Sequence, residues 1–533
     1  LLSITTALST NVETIYCVRR VVKERTLLLL EHTFSQTHNS NFGKKTIMKR
    51  TIQVIQPGTF EGEKHWYPKA LNATIHPMVS FFLNLDTQRI INRYCHLHPK
   101  VDREKLTEIL SYKCKYFLWC GADLINATSA SGFRKMVVLE NNSSPSGQKS
   151  MPLLDDNKED GSYRLLVERT FKPYIKNKKG NAKVVGKLAV LYDKNFMEVS
   201  GYGHVISDVM EEECYLVPYF YGEENDHIKV ENDQMHFRTE DGTWHPLRAV
   251  FRYVTQRPWT RFPLASKTKI LNPIAACLAG GRNKMVAAKA YDLYNAQLEQ
   301  YGLQINIPET IWDVNKAEIP LWVTKMGGHA VIKIPYSNAG QGVFTITSEE
   351  ELDAFMEMDF EYERFIVQSL IGNYNWSSIS DKGKFYHVGT IPNQKGETFV
   401  TDIRMMASST VDGIRPLCVY SRRAAKPLVD HLEDGASSWD ILGTNLSVKE
   451  GTNEWSSDTS RLILMDRRDF NKLGLGLDDL IEGYIQTVLS MVAIDKMCVK
   501  LYNTKGKFRM RLFKSLNDDT TLLDEIFKED EKV

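Results

Sequence analysis

The sequence contains no long hydrophobic run and no excess of charge of one sign. The longest leucine run, Leu27–Leu30, is far shorter than the roughly 20 apolar residues that a membrane-spanning helix needs. No segment is therefore predicted to cross a membrane. Lysine and arginine total 67 against 66 aspartate and glutamate, which is not the strongly basic balance typical of nucleic-acid-binding proteins. We therefore expect no nucleic-acid partner.

Cysteine is sparse and has no pattern. The eight cysteines among 533 residues show no repeated spacing of the kind that marks a zinc site or a disulfide framework. A chain of this length can bury a core without such staples, so a reducing, cytoplasmic setting is expected. With 42% hydrophobic and 25% charged residues, the composition is that of a folded globular protein.

The first residues differ from the rest of the chain. Residues 1–47 precede Met48 and are rich in serine, threonine and arginine, which is typical of a transit peptide. Glu13, Glu24 and Glu31 argue against that interpretation, because such peptides contain few acids. The segment is predicted to be an extension that does not fold.

Helical and strand patterns alternate along the remaining chain. Residues 64–118 have helical periodicity, and a hairpin pattern with a turn at Ser129–Gly132 follows. Lys187–Tyr192 is predicted to be a strand, Gly201–Glu213 a helix and Tyr215–Phe220 a second strand, which together form a βαβ pattern. A further helix is predicted over Asn283–Tyr301 and ends at Gly302. The predicted divisions are an extension over 1–50, a helical segment with the hairpin over 60–152, an α/β domain over 185–270, a larger α/β region over 271–500 and a tail over 501–533.

A strand with one lysine precedes a glycine-rich turn. Lys333 lies in an apolar strand, and Ser337-Asn338-Ala339-Gly340-Gln341-Gly342 follows it. A lysine in a strand that otherwise favours burial needs an anionic partner, and glycines let backbone N–H groups approach an anion. The pattern indicates a phosphate-binding site.

Polar residues also mark the strands that come next. One strand ends in Gln368-Ser369-Leu370, whose main chain can offer hydrogen bonds to an adenine edge. Asp402 and Arg404, at i and i+2, share one face of another strand. Arg422 and Arg423 lie on the strand after that, and the sequence leaves open which of the two faces the site. Guanidinium groups near a lysine favour a concentrated anion such as a triphosphate.

This order of motifs resembles the ATP-grasp ligases. Asp402-Ile403-Arg404 and Thr444-Asn445-Leu446 are most similar to prokaryotic glutathione synthetase and ribosomal-protein glutamate ligase. Lys284 matches the second nucleotide lysine of that family. ATP-grasp chains usually end on a Glu-x-Asn strand and a small-residue turn, whereas here Glu140-Asn141-Asn142 occurs upstream. That order is similar to eukaryotic glutathione synthetase, except that Ser337-Asn338 stands where that enzyme has an acid.

The resemblance implies an α/β (α+β), circularly permuted ATP-grasp fold with an accessory pre-ATP-grasp βαβ domain over 185–270. Glu140 and Asn142 project from one strand face and supply the oxygen ligands that Mg²⁺ prefers. Asp123 on the partner strand offers a third oxygen. The strand is expected to lie in the sheet of Asp402, with Met136–Leu139 buried on both sides as in a central strand.

The reaction that the resemblance implies has two steps. ATP phosphorylates a carboxylate, and an amine then displaces phosphate to form an amide. Arg404 and Arg422 would stabilise the acyl phosphate, while Mg²⁺ would be held by Asp123, Glu140 and Asn142. The implied ATP-binding residues are Lys284, Lys333, Ser337, Asn338, Ala339, Gly340, Gln341, Gly342, Gln368, Ser369, Leu370, Asp402 and Asn445. Residues Ser146–Ser150 are expected to contact a substrate.

Two other functions remain open. One is a non-catalytic ATP-binding protein that resembles synapsin, and the other is an ATP-grasp kinase. Phosphate release that requires an amine would favour the ligase over both. The partners are expected to be a small-molecule carboxylate and an amine, whose identities the sequence does not specify. It also leaves open whether the chain forms a homodimer.

Overall fold

The computed structural model describes residues 50–176, 184–337, 340–432, 437–450 and 454–527. Helices and strands are mixed throughout these residues, which confirms the α/β class predicted from the sequence. Two predicted loop residues, Asn338 and Ala339, lie outside the described residues, as does nearly all of the predicted extension.

The strands are β1 (Gln53–Ile55), β2 (Trp119–Ser129), β3 (Arg134–Asn142), β4 (Lys187–Tyr192), β5 (Cys214–Pro218), β6 (Ile228–Glu231), β7 (Gln234–Arg238), β8 (Trp244–Tyr253), β9 (Lys269–Leu271), β10 (Thr310–Asn315), β11 (Ala330–Lys333), β12 (Val343–Ile346), β13 (Arg364–Ser369), β14 (Phe385–His387), β15 (Thr401–Thr410), β16 (Gly413–Arg423), β17 (Ser447–Glu450), β18 (Glu454–Ser457) and β19 (Leu462–Ile463). The α-helices are α1 (Pro68–Leu71), α2 (Pro77–Leu83), α3 (Thr87–Leu97), α4 (Arg103–Leu110), α5 (Gly161–Leu166), α6 (Lys172–Ile175), α7 (Phe196–Met210), α8 (Ile274–Ala276), α9 (Lys284–Leu298), α10 (Ile319–Lys325), α11 (Glu349–Glu357), α12 (Ser438–Leu442), α13 (Leu477–Lys500), α14 (Met510–Leu516) and α15 (Thr520–Phe527).

The central sheet contains both the Glu140 strand and the Asp402 strand of the predicted site. Its order is β14-β2-β15-β16-β19, and β3 pairs with the other edge of β2. Glu140 is registered opposite Asp123, and Asp123 is registered opposite Arg404. This confirms the prediction that the Glu140 strand lies in the sheet of Asp402. Because neighbouring strands lie about 5 Å apart, the backbones at Glu140 and Arg404, two strands apart, are separated by about 10 Å.

The prediction that β3 is a central strand was wrong. Among the described strands it pairs with β2 alone, and its outer edge is covered by chain from another segment, where Val138 N–H donates to the Asn306 carbonyl at 2.8 Å. Met136, Val137 and Val138 are nevertheless buried, so both faces of this run are covered as predicted, and Leu139 is partly buried. Helix α13 also covers this strand, since the Asn141 amide donates to Ser490 Oγ at 2.7 Å.

A second sheet carries the predicted βαβ unit. Its order is β1-β5-β4-β8-β7-β6, with β9 on β8. β4 is parallel to both β5 and β8, and α7 connects β4 to β5. The predicted strand over 187–192 matches β4, whereas the helix begins at Phe196, five residues before the predicted Gly201. Asp193, Phe220 and Thr255, which follow β4, β5 and β8, line one cavity together with residues of the central sheet. Ligands bind beyond the carboxyl ends of the strands in open α/β sheets.

A third, four-stranded sheet carries Lys333. Its order is β10-β13-β11-β12, with β11 antiparallel to both neighbours. One face has its own apolar core, which includes Ile332, Phe344, Phe355 and Val367. The sheet is therefore a separately packed layer over the cleft beside the central sheet.

The end of the described chain, within the predicted tail over 501–533, is packed against the rest of the molecule. Phe513 and Leu522 are fully buried. The Tyr336 hydroxyl donates to Asn517 Oδ1 at 2.8 Å, and Trp259 Nε1 donates to Glu525 at 2.7 Å. This segment thus connects the Lys333 hairpin to the second sheet. None of the described helices is both long and apolar enough to cross a membrane.

Candidate functional site

A cavity of about 1500 Å³ lies where the three sheets meet. A pocket for one drug-sized ligand typically measures about 300–1,000 Å³, so this cavity has room for more than one small molecule. The predicted site residues that line it are Asp123, Glu140, Asn142, Lys333, Gly340, Gln341, Gln368, Ser369, Leu370, Asp402, Arg404, Arg422 and Asn445. Ser146 and Gly147 of the predicted substrate loop line it as well.

Two lysines from different elements converge on the Glu140 strand. Lys284 Nζ lies 3.4 Å from Glu140 Oε2, and Lys333 Nζ donates to the Leu139 carbonyl at 3.4 Å. Burial lowers the pKa of both ammonium groups, to about 8 for Lys333. Burial would raise the pKa of Glu140, but the nearby cations, Lys284 first, bring that pKa below its ordinary value. The prediction that both lysines face one site agrees with this geometry.

Lys284 also contacts the glycine hairpin, by which we mean β11, β12 and the glycine-rich turn between them. It is the first residue of α9, whose N-cap Asn283 accepts a hydrogen bond from Val286 N–H. Its ammonium donates to the Ser337 carbonyl at 2.6 Å, and its backbone N–H donates to the Pro335 carbonyl at 3.0 Å. Side chain and main chain together therefore tie the start of α9 to the hairpin.

Glycine is required at the closure of that hairpin. Gly342 has a φ of +70°, and a Cβ there would lie 2.9 Å from Ser337 Oγ and from Ile334. Gly340, with a φ of +77°, packs beside Trp439 and Asn445. The Ser337 hydroxyl donates to the Ile334 carbonyl at 3.0 Å and so serves the turn itself.

The strand predicted to bind adenine has backbone N–H groups that are already hydrogen-bonded within the protein. Ser369 N–H donates to the Glu309 carbonyl at 2.8 Å, and Leu370 N–H donates to Ser378 Oγ at 2.6 Å. The Gln368 amide donates to Thr310 Oγ1 at 2.9 Å. The segment lines the cavity as predicted, but neither N–H group is open to a ligand in this structure, because the sheet and the following loop have already bonded them.

The two predicted anion-binding arginines are paired with two carboxylates in a row of salt bridges. We call these four residues the paired cluster: Asp123, Arg404, Asp402 and Arg422. Arg404 makes two 2.6 Å bonds to the Asp123 carboxylate. Arg422 lies 3.0 Å from Asp123 and donates through Nε to Asp402 at 2.9 Å. All four side chains are buried. Two positive and two negative charges therefore balance within the cluster.

This pairing changes the roles predicted for two carboxylates. Burial would raise the pKa of Asp123, but Arg404 and Arg422 lower it to about 2, so the group is a bound counterion rather than an open ligand for a cation. Burial raises the pKa of Asp402, whose carboxylate accepts a hydrogen bond from Arg422 at the edge of the cavity. Of the two adjacent arginines, Arg422 lines the cavity and Arg423 lies over the Phe399 ring, 4.5 Å from its centre.

The oxygen donors left for a cation are Glu140 and Asn142. They share one strand face, and the Asn142 amide nitrogen lies 3.5 Å from Glu140 Oε1. The described residues hold no group of three or more His, Cys, Asp or Glu side chains that would form a metal cage. Mg²⁺ usually binds through one or two carboxylates and completes its shell with water and substrate phosphates. This pair fits that manner of binding.

Sequence reasoning missed two further cations in the cavity wall. Arg282 precedes the first turn of α9, and Lys194 follows the carboxyl end of β4; both line the cavity. A signal for Arg282 was present in the sequence. A basic residue beside a helix N-terminus is disfavoured by the helix dipole. Arg282 just before α9 and Lys284 at its first position therefore indicate an anion-binding role.

Comparisons with known proteins find remote structural likenesses. No family model and no curated protein sequence match this chain. It is similar to a RimK domain ATP-grasp protein from Sphaerobacter thermophilus, at 14% identity and a TM-score of 0.27, over 44% of this chain and 90% of that one. It is also similar to a glutathione synthetase-like effector from Globodera pallida in its apo form, at 11% identity and a TM-score of 0.34, over 66% of this chain and 86% of that one. These likenesses agree with the ATP-grasp resemblance of the motifs but carry no argument about the reaction.

Proposed function

We propose that this protein is an ATP- and Mg²⁺-dependent ligase that joins a carboxylate to an amine and releases ADP and phosphate. The observation that carries the proposal is the convergence of Lys284, Lys333 and the glycine hairpin on the Glu140 strand. Two buried ammonium groups beside one partly accessible carboxylate suit a triphosphate with its divalent cation. The adjoining cavity has room for a second molecule.

The chain's own residues would position the reactants. Lys333 and Lys284 hold phosphate oxygens, and the hairpin that ends at Gly342 covers them. Glu140 and Asn142 hold Mg²⁺, which when bound neutralises charge on the phosphates. The paired cluster forms a neutral, rigid floor, on which Arg404 also donates to the Ser146 carbonyl at 3.3 Å.

The chemistry requires no side-chain nucleophile. A carboxylate oxygen attacks the γ-phosphorus of ATP, the bond to the β-phosphate oxygen breaks, and ADP leaves. The amine nitrogen then attacks the acyl carbon, the carbon–oxygen bond to phosphate breaks, and the nitrogen loses a proton as phosphate departs. Alignment of the reactants and neutralisation of phosphate charge supply most of the catalysis in such steps.

The proposal includes a circularly permuted order of the fold. What supports it is the position of β3, which precedes the Lys333 hairpin in sequence yet lies in the sheet of β15 and contacts Lys284. The strand that supplies the metal oxygens thus comes before the nucleotide region instead of after it.

ADP release with a panel of carboxylic acids, using hydroxylamine as a general amine, tests the reaction. We expect at least one acid to give ADP, free phosphate and a hydroxamate in equal amounts, with Lys333→Met inactive. A phosphorylated alcohol or phosphate ester, formed without hydroxylamine, would identify a kinase instead. Nucleotide binding with no turnover across the panel would favour a binding protein. Arg238→Met, at an exposed ion pair with Asp226, is the matched control.

A further inference from the structure

Two cations in the cavity wall have no anionic partner. The Arg282 guanidinium lines the cavity, and its Nε is enclosed without a hydrogen-bond partner. The guanidinium carbon lies 5.9 Å from the centre of the Trp259 ring. Lys194 Nζ donates to the Ser144 carbonyl at 3.0 Å and lies 4.7 Å from the centre of the Tyr253 ring. No salt bridge joins either group to a carboxylate of the described residues.

The acids near these two cations are already engaged. Asp193 accepts hydrogen bonds from Thr255 N–H and Gln256 N–H and forms a 2.8 Å salt bridge with Arg261. Glu198 accepts hydrogen bonds from Gly147 N–H, at 2.6 Å, and from the Tyr253 hydroxyl. Glu140, a third nearby carboxylate, lies 3.4 Å from Lys284. No described carboxylate is therefore paired directly with Arg282 or Lys194.

An uncompensated charge in such a place is costly to keep. Burial lowers the pKa of Lys194 to about 7 and the pKa of Arg282 to about 10. Both residues are partly exposed to the cavity. A partly desolvated charge without a direct partner still lowers the stability of a folded protein, and an apolar side chain at either position would remove that cost. The cost is offset if a ligand supplies the missing anion.

Arg282 and Lys194 line the large cavity and do not line the small neighbouring one, which Lys284 lines. Lys333 and Gln368 line both cavities, so the large cavity extends from the nucleotide end to Arg282 and Lys194. Phe196 and Phe220 also line the large cavity and provide apolar surface for a carbon chain.

We propose that Arg282 and Lys194 form a second anion subsite, which holds a carboxylate other than the one that ATP activates. The substrate is then a diacid, either a simple dicarboxylate or an acidic amino acid. This inference rests on the proposed ligase function and specifies its substrate class. The planar guanidinium fork matches a carboxylate in two-point contact, and the ammonium adds a point charge.

Matched pairs of acids provide the test. Melting temperature is measured with succinate, glutarate and adipate against butyrate, pentanoate and hexanoate, each with and without Mg²⁺ and the non-hydrolysable ATP analogue AMPPNP. We expect at least one dicarboxylate to raise the melting temperature, while its monocarboxylate match does not. Arg282→Met should weaken dicarboxylate binding at least tenfold and leave the AMPPNP shift unchanged. Lys194→Met should weaken dicarboxylate binding by a smaller factor and also leave the AMPPNP shift unchanged.

The control and the contrary outcomes are distinct. Arg238→Met should retain both shifts, and Arg282→Lys provides a charged variant should Arg282→Met fail to fold. No preference for any dicarboxylate, with a normal AMPPNP shift, would overturn the subsite and leave the ligase proposal standing. Loss of the AMPPNP shift in Arg282→Met with dicarboxylate binding retained would assign the guanidinium to the nucleotide. No AMPPNP binding to the unmodified protein would overturn the ligase proposal, and the nucleotide-free arm would still test the subsite.

Discussion

The paired cluster and the cations around it occupy the same cavity but differ in how their charges are balanced. In the paired cluster each guanidinium bonds a carboxylate on a neighbouring strand. Lys333 and Arg282 form no salt bridge with any described carboxylate, and their hydrogen-bonding capacity is largely unused. Charges that are balanced within the protein build the cavity floor, whereas charges left unbalanced need a ligand. The comparison therefore separates structural from binding residues where residue type alone does not.

Removing one acid of the paired cluster should have the largest effect on stability. Asp123→Asn preserves side-chain volume but leaves two buried guanidinium groups without their shared counterion. Breaking a buried pair in this way costs about 3–5 kcal/mol, measured as the free energy of unfolding in urea. Asp478→Asn is the matched control, because its two 2.7 Å bonds to Arg93 are exposed and such pairs contribute about 1 kcal/mol or less. Equal losses in the two variants would break the comparison.

Removing an unbalanced cation should affect binding and leave stability largely unchanged. Lys333→Met is expected to weaken AMPPNP roughly 100-fold, which corresponds to about 2.7 kcal/mol. The free energy of unfolding should stay the same or rise, since the variant no longer buries an unpaired ammonium. Calorimetric titration and urea unfolding of the same preparation measure both quantities. A large loss of stability with intact nucleotide affinity would place Lys333 among the structural charges.

The unbalanced ammonium groups of Lys194 and Lys333 should titrate below the ordinary lysine pKa. Burial lowers the pKa of Lys194 to about 7 and the pKa of Lys333 to about 8. Because the unfolded chain binds these protons more tightly than the folded protein does, their contribution to stability rises with pH from about 7 to the ordinary lysine pKa near 10.5. An anionic ligand favours the charged form and should raise both pKa values.

NMR of ¹³C-dimethylated lysines, assigned with Lys194→Arg and Lys333→Arg, measures these titrations directly. AMPPNP with Mg²⁺ should raise the pKa of Lys333, and an effective dicarboxylate should raise that of Lys194. If neither value responds to either ligand, the two ammonium groups do not face a binding site.

Substitution of Arg423 should have the smallest effect on stability, in contrast to substitution of the adjacent Arg422. Arg423→Ala removes a guanidinium that lies over Phe399 and donates to the Ala424 carbonyl at 3.3 Å. We expect a loss of about 1 kcal/mol or less, against several kcal/mol for Arg422→Ala. Thermal unfolding of the two variants side by side compares them. A greater loss for Arg423→Ala would reverse the assignment of the buried arginine.

Local patterns in the sequence account for much of the fold. Alternation and apolar runs predict β4 with its observed bounds, and they predict the helix that starts beside Asn283. The motif order also predicts that the Glu140 strand enters the sheet of Asp402. These features depend on periodicity and on motifs that lie within a few residues of each other.

The charge partners could not be predicted in this way. Asp123 faces Arg404 because two strands separated by about 280 positions are paired in one register. Spacing along one strand cannot reveal which cross-strand neighbour neutralises a carboxylate, and Asp123 was therefore predicted to bind metal. The edge position of β3 likewise depends on the segment around Asn306, which covers it from elsewhere in the chain.

Calorimetric titration of AMPPNP with and without Mg²⁺, in the unmodified protein and in Glu140→Gln, tests the central claim most directly. Glu140 lies 3.4 Å from Lys284 and is the carboxylate proposed to hold the metal. We predict that Mg²⁺ strengthens AMPPNP binding in the unmodified protein and that Glu140→Gln removes this gain, because the substitution preserves shape and deletes the charge. An equal gain from Mg²⁺ in both proteins, or no AMPPNP binding in either, would contradict the account.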